Sequence, residues 1–64
     1  MNQVTLATMK RAGAEILGVL VRSNRSGVTK KGKVIRVGKR DRVDIRWPDG
    51  VVSTNQYTGD YSPF

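Results

Sequence analysis

The side chains best suited to chemistry in this chain are its cations, and they are concentrated in one segment. Ten of the twelve Lys and Arg residues lie between Arg22 and Arg46. Asp41 and Asp44 are the only acids there, so the segment has a formal charge of +8 while the chain as a whole has +7. Several cations at phosphate spacing, held on ordered backbone, bind a polyanion with little loss of conformational entropy. The segment therefore predicts a surface for binding a polyanion.

The predicted nucleic-acid-binding residues are these ten cations and two tyrosines whose rings can stack on bases. They are Arg22, Arg25, Lys30, Lys31, Lys33, Arg36, Lys39, Arg40, Arg42, Arg46, Tyr57 and Tyr61. If about six cations contact phosphates, the logarithm of the binding constant should fall linearly with the logarithm of the salt concentration, with a slope of roughly −4 to −5. Phosphate contacts position a nucleic acid without reading its bases, so we expect weak sequence preference.

Residues for catalysis or metal binding are scarce. The chain has no histidine and no cysteine, so it lacks the commonest general base and the thiolate metal ligands. Its acids are Glu15, Asp41, Asp44, Asp49 and Asp60. None of them has a partner in a pattern typical of acid–base catalysis, and ion pairs or turns are their expected roles. We therefore predict a protein that is not an enzyme and that needs no metal or cofactor.

The clearest strand carries two of the cations. In the segment Arg42–Trp47, Val43, Ile45 and Trp47 alternate strictly with charged residues, which is typical of a strand with one face in the core and one in solvent. Trp47 shares the apolar face, so its expected place is the core or the rim of the core. A cage of Trp47 and the tyrosines for a methylated cation is disfavoured by the net charge of +7.

Further strands and turns flank this one. Lys33–Val37 reads as the preceding strand, and Gly38–Asp41 as a basic turn between the two. Pro48-Asp49-Gly50 is a strong turn signal, and Val51–Thr54 is the expected hairpin partner. Ala14–Arg22 is rich in aliphatic residues and predicts a first strand.

The N-terminal residues 1–12 allow two interpretations. Thr5 can cap a short helix that has Leu6 and Met9 on one face, or the segment can be an extended lead-in. A longer helix from Thr5 to Val21 is less favoured, because it would contain Gly13 and Gly18. Residues 59–64 form a tail that either folds back over the domain or serves as a short docking peptide.

Sixty-four residues make a single domain of residues 1–64, with a lead-in (1–12), a barrel (13–58) and a tail (59–64). The expected fold is all-β, with four to five short antiparallel strands. A flat sheet of this size would leave edges and one face exposed, whereas a small, strongly bent barrel covers both. A small β-barrel is therefore the predicted architecture.

The order of these segments also resembles a known family. Matching positions are Gly13, Gly32-Lys33-Val34, Val43–Trp47 and Asp49-Gly50, within roughly residues 10–61. A Gly before the first strand, a G-x-V strand and a strand ending in Trp-x-Asp-Gly resemble the Src-homology-3-like barrels of the Tudor and KOW type. The resemblance implies a one-turn helix before the last strand. Because such barrels bind RNA, DNA, methylated peptides and other proteins, the function has to be argued from the residues.

Two functions follow from this reading. The first is non-catalytic binding of DNA or RNA through the phosphate backbone, as in an accessory factor of a phage, plasmid or bacterium. The second is a protein-interaction module that docks on an acidic surface of a larger nucleic-acid-processing machine. The longest apolar run, Ile16–Val21, is too short to span a bilayer, and the N-terminus lacks the pattern of a secretory signal. A soluble, cytoplasmic protein, with homo-oligomerisation possible, is the expectation.

Overall fold

The chain folds into one antiparallel sheet with a short helix. The computed structural model describes residues 4–24 and 30–64. Its elements are α1 (Leu6–Arg11), β1 (Leu20–Ser23), β2 (Gly32–Val37), β3 (Arg42–Arg46), β4 (Val52–Tyr57), a one-turn 3₁₀ helix (Thr58–Asp60) and β5 (Tyr61–Pro63). The five strands pair antiparallel in the order β4-β3-β2-β1-β5. The prediction of an all-β fold with four to five antiparallel strands is confirmed, and of the two interpretations of the N-terminal residues the structure has the short helix.

The sheet remains open between its two edge strands, β4 and β5, and in this detail it differs from the expected barrel. Within the described residues these strands are not paired through their backbones. A side-chain hydrogen bond joins them instead, because the Tyr61 hydroxyl donates to Gln56 Oε1 at 2.9 Å. The 3₁₀ helix that connects the two strands has only three residues. β5 pairs with β1 and not with β4, which leaves an open seam between β4 and β5.

Helix α1 forms because its first turn is capped from both sides. The Thr8 amide donates to Thr5 Oγ1 at 3.3 Å, and the Thr5 amide donates to Thr8 Oγ1 at 3.4 Å. This reciprocal pair satisfies amides that a helix N-terminus otherwise leaves unpaired. Leu6 is fully buried, and α1 packs against the 3₁₀ helix and β5. Among the described residues, no helix combines the length and the apolar character needed to cross a membrane.

The core lies on one face of the sheet and follows the alternation of β2 and β3. Val34, Val43 and Ile45 are buried, while their neighbours along the two strands are exposed or half-buried. Among the residues that the structure describes, the buried apolar cluster is Leu6, Ile16, Val21, Val34, Val43, Ile45 and Tyr61. Trp47 is half-buried and packs against this cluster, so of the two predicted places, the core and its rim, it occupies the rim.

The first strand is shorter than the aliphatic run predicted. Pairing with β2 begins before β1 itself, since the Gly18 amide donates to the Val34 carbonyl at 2.8 Å and the Val34 amide donates to the Val19 carbonyl at 3.1 Å. Gly18 has a φ of +83°, a conformation that glycine adopts without steric cost. The chain therefore bends at Gly18, and only Leu20–Ser23 continues as a regular strand.

The C-terminal residues fold back onto the domain. β5 pairs with β1, with Ser62 opposite Arg22. The Ser62 hydroxyl donates to Asn24 Oδ1 at 2.7 Å, and the Phe64 amide donates to the Leu20 carbonyl at 2.9 Å. Of the two interpretations of the tail, the structure has the one in which it packs on the sheet.

A basic sheet face as the candidate nucleic-acid interface

The outer face of the sheet, opposite the core, carries a row of side chains that crosses four strands. The register places Leu20 opposite Lys33, Lys33 opposite Arg46, and Arg46 opposite Val52. All four side chains are exposed. Directly opposed residues on antiparallel strands have Cβ atoms about 4.5–5.5 Å apart. Two cations are therefore neighbours in the middle of this row, with an apolar side chain on either side.

A second group of cations lies nearer the β2–β3 turn. Arg36 is opposite Asp44, and Arg42 is opposite Tyr57. The Arg42 guanidinium carbon lies 5.6 Å from the centroid of the Tyr57 ring, a cation–π contact. Since the Tyr57 side chain is still 44% exposed, arginine and aromatic ring form a joint platform that is open to solvent.

β-bulges set the alignment of this second group. Ile35 is an extra residue of β2 between two pairs, Val34–Ile45 and Arg36–Asp44. In β4 the register shifts at Asn55, which has a φ of +55°. The Asn55 amide donates to Asp44 Oδ1 at 3.0 Å. Asp44 therefore holds the bulge of β4 in place with a carboxylate oxygen.

The turn between β2 and β3 adds two cations at the tip of the hairpin. The Arg42 amide donates to the Lys39 carbonyl at 3.2 Å, across the central residues Arg40 and Asp41. Both central residues have positive φ, 56° and 60°, which is the geometry of the tight hairpin turns that favour Asn and Gly. Asn or Gly at position 40 would therefore stabilise the turn relative to Arg40.

A shallow groove lies between these cations. Its volume is about 410 Å³, and it is lined by Arg36, Gly38, Lys39, Arg42, Asp44, Thr54 and Asn55. Three cations surround a polar floor made by the middle of β4. The sequence signal for this floor was weak, because Thr54 and Asn55 carry no charge and the predicted strand ended at Thr54.

The acids of the domain leave this face largely positive. Asp41 pairs with Lys10 at 3.5 Å, and Asp49 lies 3.9 Å from Lys30. In residues 4–24 and 30–64, the salt bridges do not include the outer-face cations. We define the basic face as these six residues: Lys33, Arg36, Lys39, Arg40, Arg42 and Arg46.

The remaining predicted site residues lie away from the basic face or at its margin. Arg22 is exposed on β1, toward β5. Lys30 and Lys31 precede β2, and the Lys31 ammonium lies 4.6 Å from the centroid of the Phe64 ring. Tyr61 is only 7% exposed and belongs to the core cluster. Arg25 lies outside the described residues.

The fold and this face together define a small antiparallel β-domain with one strongly basic, solvent-exposed sheet surface. No family model, curated protein or solved structure matches the chain. The function is therefore argued from the site alone.

Proposed function

We propose that this domain binds nucleic acid without catalysis, and that its basic face contacts the phosphate backbone. One observation carries the proposal: Lys33 and Arg46 lie directly opposite each other on neighbouring strands. Like charges in such positions destabilise a sheet. A ligand that neutralises both would remove the repulsion, and a nucleic acid presents negative charges at regular spacing along its backbone.

The β2–β3 turn supports the same proposal. A non-glycine residue in the left-handed region costs about 1–2 kcal/mol, and Arg40 is held there with a φ of 56°. Asp41 has a structural reason for its place, because its carboxylate pairs with Lys10 and its carbonyl accepts the Thr58 amide. Arg40 has no comparable structural contact among the described residues, and what distinguishes it is its positive charge at the tip of the basic face. Strained positions of this kind cluster at functional sites.

The strand order and the short helix before the last strand support a finer assignment of the fold. We infer that the domain is related to the Src-homology-3-like barrels of the Tudor and KOW type. The one-turn helix of that pattern corresponds to Thr58–Asp60, between β4 and β5. This assignment is compatible with several partners, so the basic face and not the fold carries the proposed function.

Docking on an acidic protein is the second candidate function. Apolar side chains adjoin the cations of the basic face: Leu20, Ile35 and Val52 are 48%, 43% and 44% exposed. Protein interfaces need such apolar anchors in addition to charge. Nucleic acid remains the favoured partner, because its backbone presents phosphates at regular spacing along an extended chain, which matches cations spread over the whole basic face.

Binding measurements at two salt concentrations distinguish the two candidates. We expect the protein to bind duplex DNA, single-stranded DNA or RNA at about 50 mM salt, and to lose roughly 250- to 1,000-fold in affinity at about 200 mM, as the slope of −4 to −5 requires. Polyglutamate of matched charge serves as the control for a generic polyanion, and it should bind more weakly than the preferred nucleic acid. Absence of binding to all three nucleic acids at low salt would overturn the proposal.

A further inference from the structure

A pocket at the open seam between β4 and β5 has the lining of a ligand site, and it lies outside the basic face. Its volume is about 300 Å³, at the lower end of the range of about 300–1,000 Å³ that is typical of ligand pockets. Both edge strands and the turn after β3 contribute to it. The lining residues are Ser23, Lys30, Trp47, Asp49, Val51, Ser53 and Tyr61.

The two rings of the pocket are held in place by their polar ends. Trp47 Nε1 donates to Ser53 Oγ at 2.9 Å, and the Tyr61 hydroxyl donates to Gln56. The ring centroids of Trp47 and Tyr61 are 6.2 Å apart, with a tilt of 44° between the planes. With the indole N–H and the phenol O–H already paired, the ring surface that faces the pocket is apolar and fixed. Such a surface favours a flat apolar ligand.

The polar groups at the rim favour a particular hydrogen-bonding partner. Asp49 Oδ1 accepts the Val51 amide at 3.1 Å, which orients the carboxylate in its turn. An ionised carboxylate only accepts hydrogen bonds, and its two oxygens have about four acceptor positions. The remaining positions suit a ligand that carries an amino group. Lys30, at 3.9 Å from Asp49 Oδ2, adds a cation at the rim and disfavours a positively charged ligand.

The pocket and the basic face meet at one end of the sheet. Successive residues of a strand point to opposite faces, so Arg46 projects outward and Trp47 inward from neighbouring positions of the chain. Lys33, opposite Arg46, is also at this end. A nucleic-acid strand whose phosphates contact these two cations would lie at the end of the sheet where Trp47 lines the pocket.

We propose that this pocket binds one unstacked nucleobase of a single strand and prefers a base that carries an amino group. The inference rests on the proposed function, because the basic face supplies the phosphate contacts that bring the base to the pocket. The base packs on the indole of Trp47, and its amino group donates to the Asp49 carboxylate. Stacking on an aromatic side chain contributes affinity for any base. The hydrogen bond to the carboxylate adds the preference for a base that carries an amino group.

The fluorescence of Trp47 tests the proposal directly, because it is the only tryptophan of the chain. The wild-type protein is titrated with a single-stranded oligonucleotide and with a base-free oligomer of the same length and charge, and calorimetry measures both affinities. We expect the intact strand to quench Trp47 and to bind about tenfold more tightly than the base-free strand. The base-free strand should bind without quenching.

The outcomes separate the pocket from the basic face. Equal affinity for both strands, with no change in Trp47 fluorescence, would overturn the pocket and leave phosphate binding intact. Failure of both strands to bind would overturn the proposed function, and this inference with it.

The amino preference has its own test in two pyrimidine strands with identical backbones. Cytosine has an amino group where thymine has a carbonyl oxygen, so oligodeoxycytidylate should bind wild type about fivefold more tightly than oligothymidylate. Asp49→Asn should bring this ratio close to one, because an amide both donates and accepts. Asp41→Asn is the matched control, with the same change of charge at the other end of the sheet, and it should keep the wild-type ratio. A ratio of one in wild type, or a ratio that Asp49→Asn leaves unchanged, would overturn the assignment.

Discussion

Replacing Arg46 with glutamate is expected to weaken the binding of nucleic acid by about 30-fold at about 50 mM salt. Arg46 lies at the end of the basic face that is farther from the β2–β3 turn, opposite Lys33 on β2 and Val52 on β4. The variant loses a charge-assisted contact with phosphate and places a carboxylate in its position, which together correspond to about 2 kcal/mol. Fluorescence anisotropy with a labelled oligonucleotide measures the change.

Arg11→Glu is the matched control for this variant. Arg11 is exposed at the end of α1, outside the basic face, and either substitution lowers the formal net charge from +7 to +5. We expect the control to lose no more than about threefold in affinity, since Arg11 is not among the cations proposed to contact phosphate and acts only through solvent-screened electrostatics. Equal losses in the two variants would mean that net charge, rather than the basic face, determines binding.

Thermal unfolding of Arg46→Glu separates a loss of contact from a loss of fold. The substitution replaces a like-charge pair with an opposite-charge pair, Lys33 and Glu at position 46, on neighbouring strands. Opposite charges in such positions contribute about 0.2–1 kcal/mol. The melting temperature should therefore stay the same or rise while the affinity falls. A lower melting temperature for the variant would mean that Arg46 stabilises the fold, and it would contradict the claim that Lys33 and Arg46 repel each other.

Gly32→Ala is expected to destabilise the domain by about 2–3 kcal/mol. A Cβ atom at Gly32 would lie 2.5 Å from Ile45 Cγ2 and 3.0 Å from Trp47 Cζ3. Ile45 is fully buried in the core, so neither β3 nor the indole can yield without moving its neighbours. For a domain of this size the loss is a large part of the total stability. Urea denaturation measures it.

Gly38→Ala provides the comparison for this prediction. A Cβ at Gly38 would meet only Arg42, with the carbonyl oxygen nearest at 3.3 Å. We expect this variant to lose less than about 1 kcal/mol, since the neighbour has to shift by only a few tenths of an ångström. Similar losses of stability in both variants would show that the contacts of position 32 with Ile45 and Trp47 are not the reason why a glycine is needed there.

The sequence predicted the hairpin at the centre of the fold well, because its signals are local. Alternation in β3 identified Val43 and Ile45 as core residues and Arg42 and Arg46 as exposed cations. Thr5 indicated the helix N-terminus through a hydrogen bond between near neighbours in the chain. In each case, the energy that selects the conformation comes from residues a few positions apart.

Features that depend on distant parts of the chain were not accessible from the sequence. Pairing of β5 with β1 joins residues about forty positions apart, such as Arg22 and Ser62, and no local pattern specifies it. The bulge at Asn55 depends on a carboxylate eleven residues earlier in the chain. The seam beside β4 and its pocket follow from that pairing, so Trp47 could be placed at the rim of the core but not in a pocket.

Amide chemical shifts of the ¹⁵N-labelled protein during titration with a single-stranded oligonucleotide test the central claim most directly, because they identify the face that binds. The proposed function predicts that the largest changes lie on the outer face of β2, β3 and β4, at Lys33, Arg36, Arg42 and Arg46, with little change along α1. Changes confined to α1 or β5, with the basic face unaffected by saturating oligonucleotide, would contradict it.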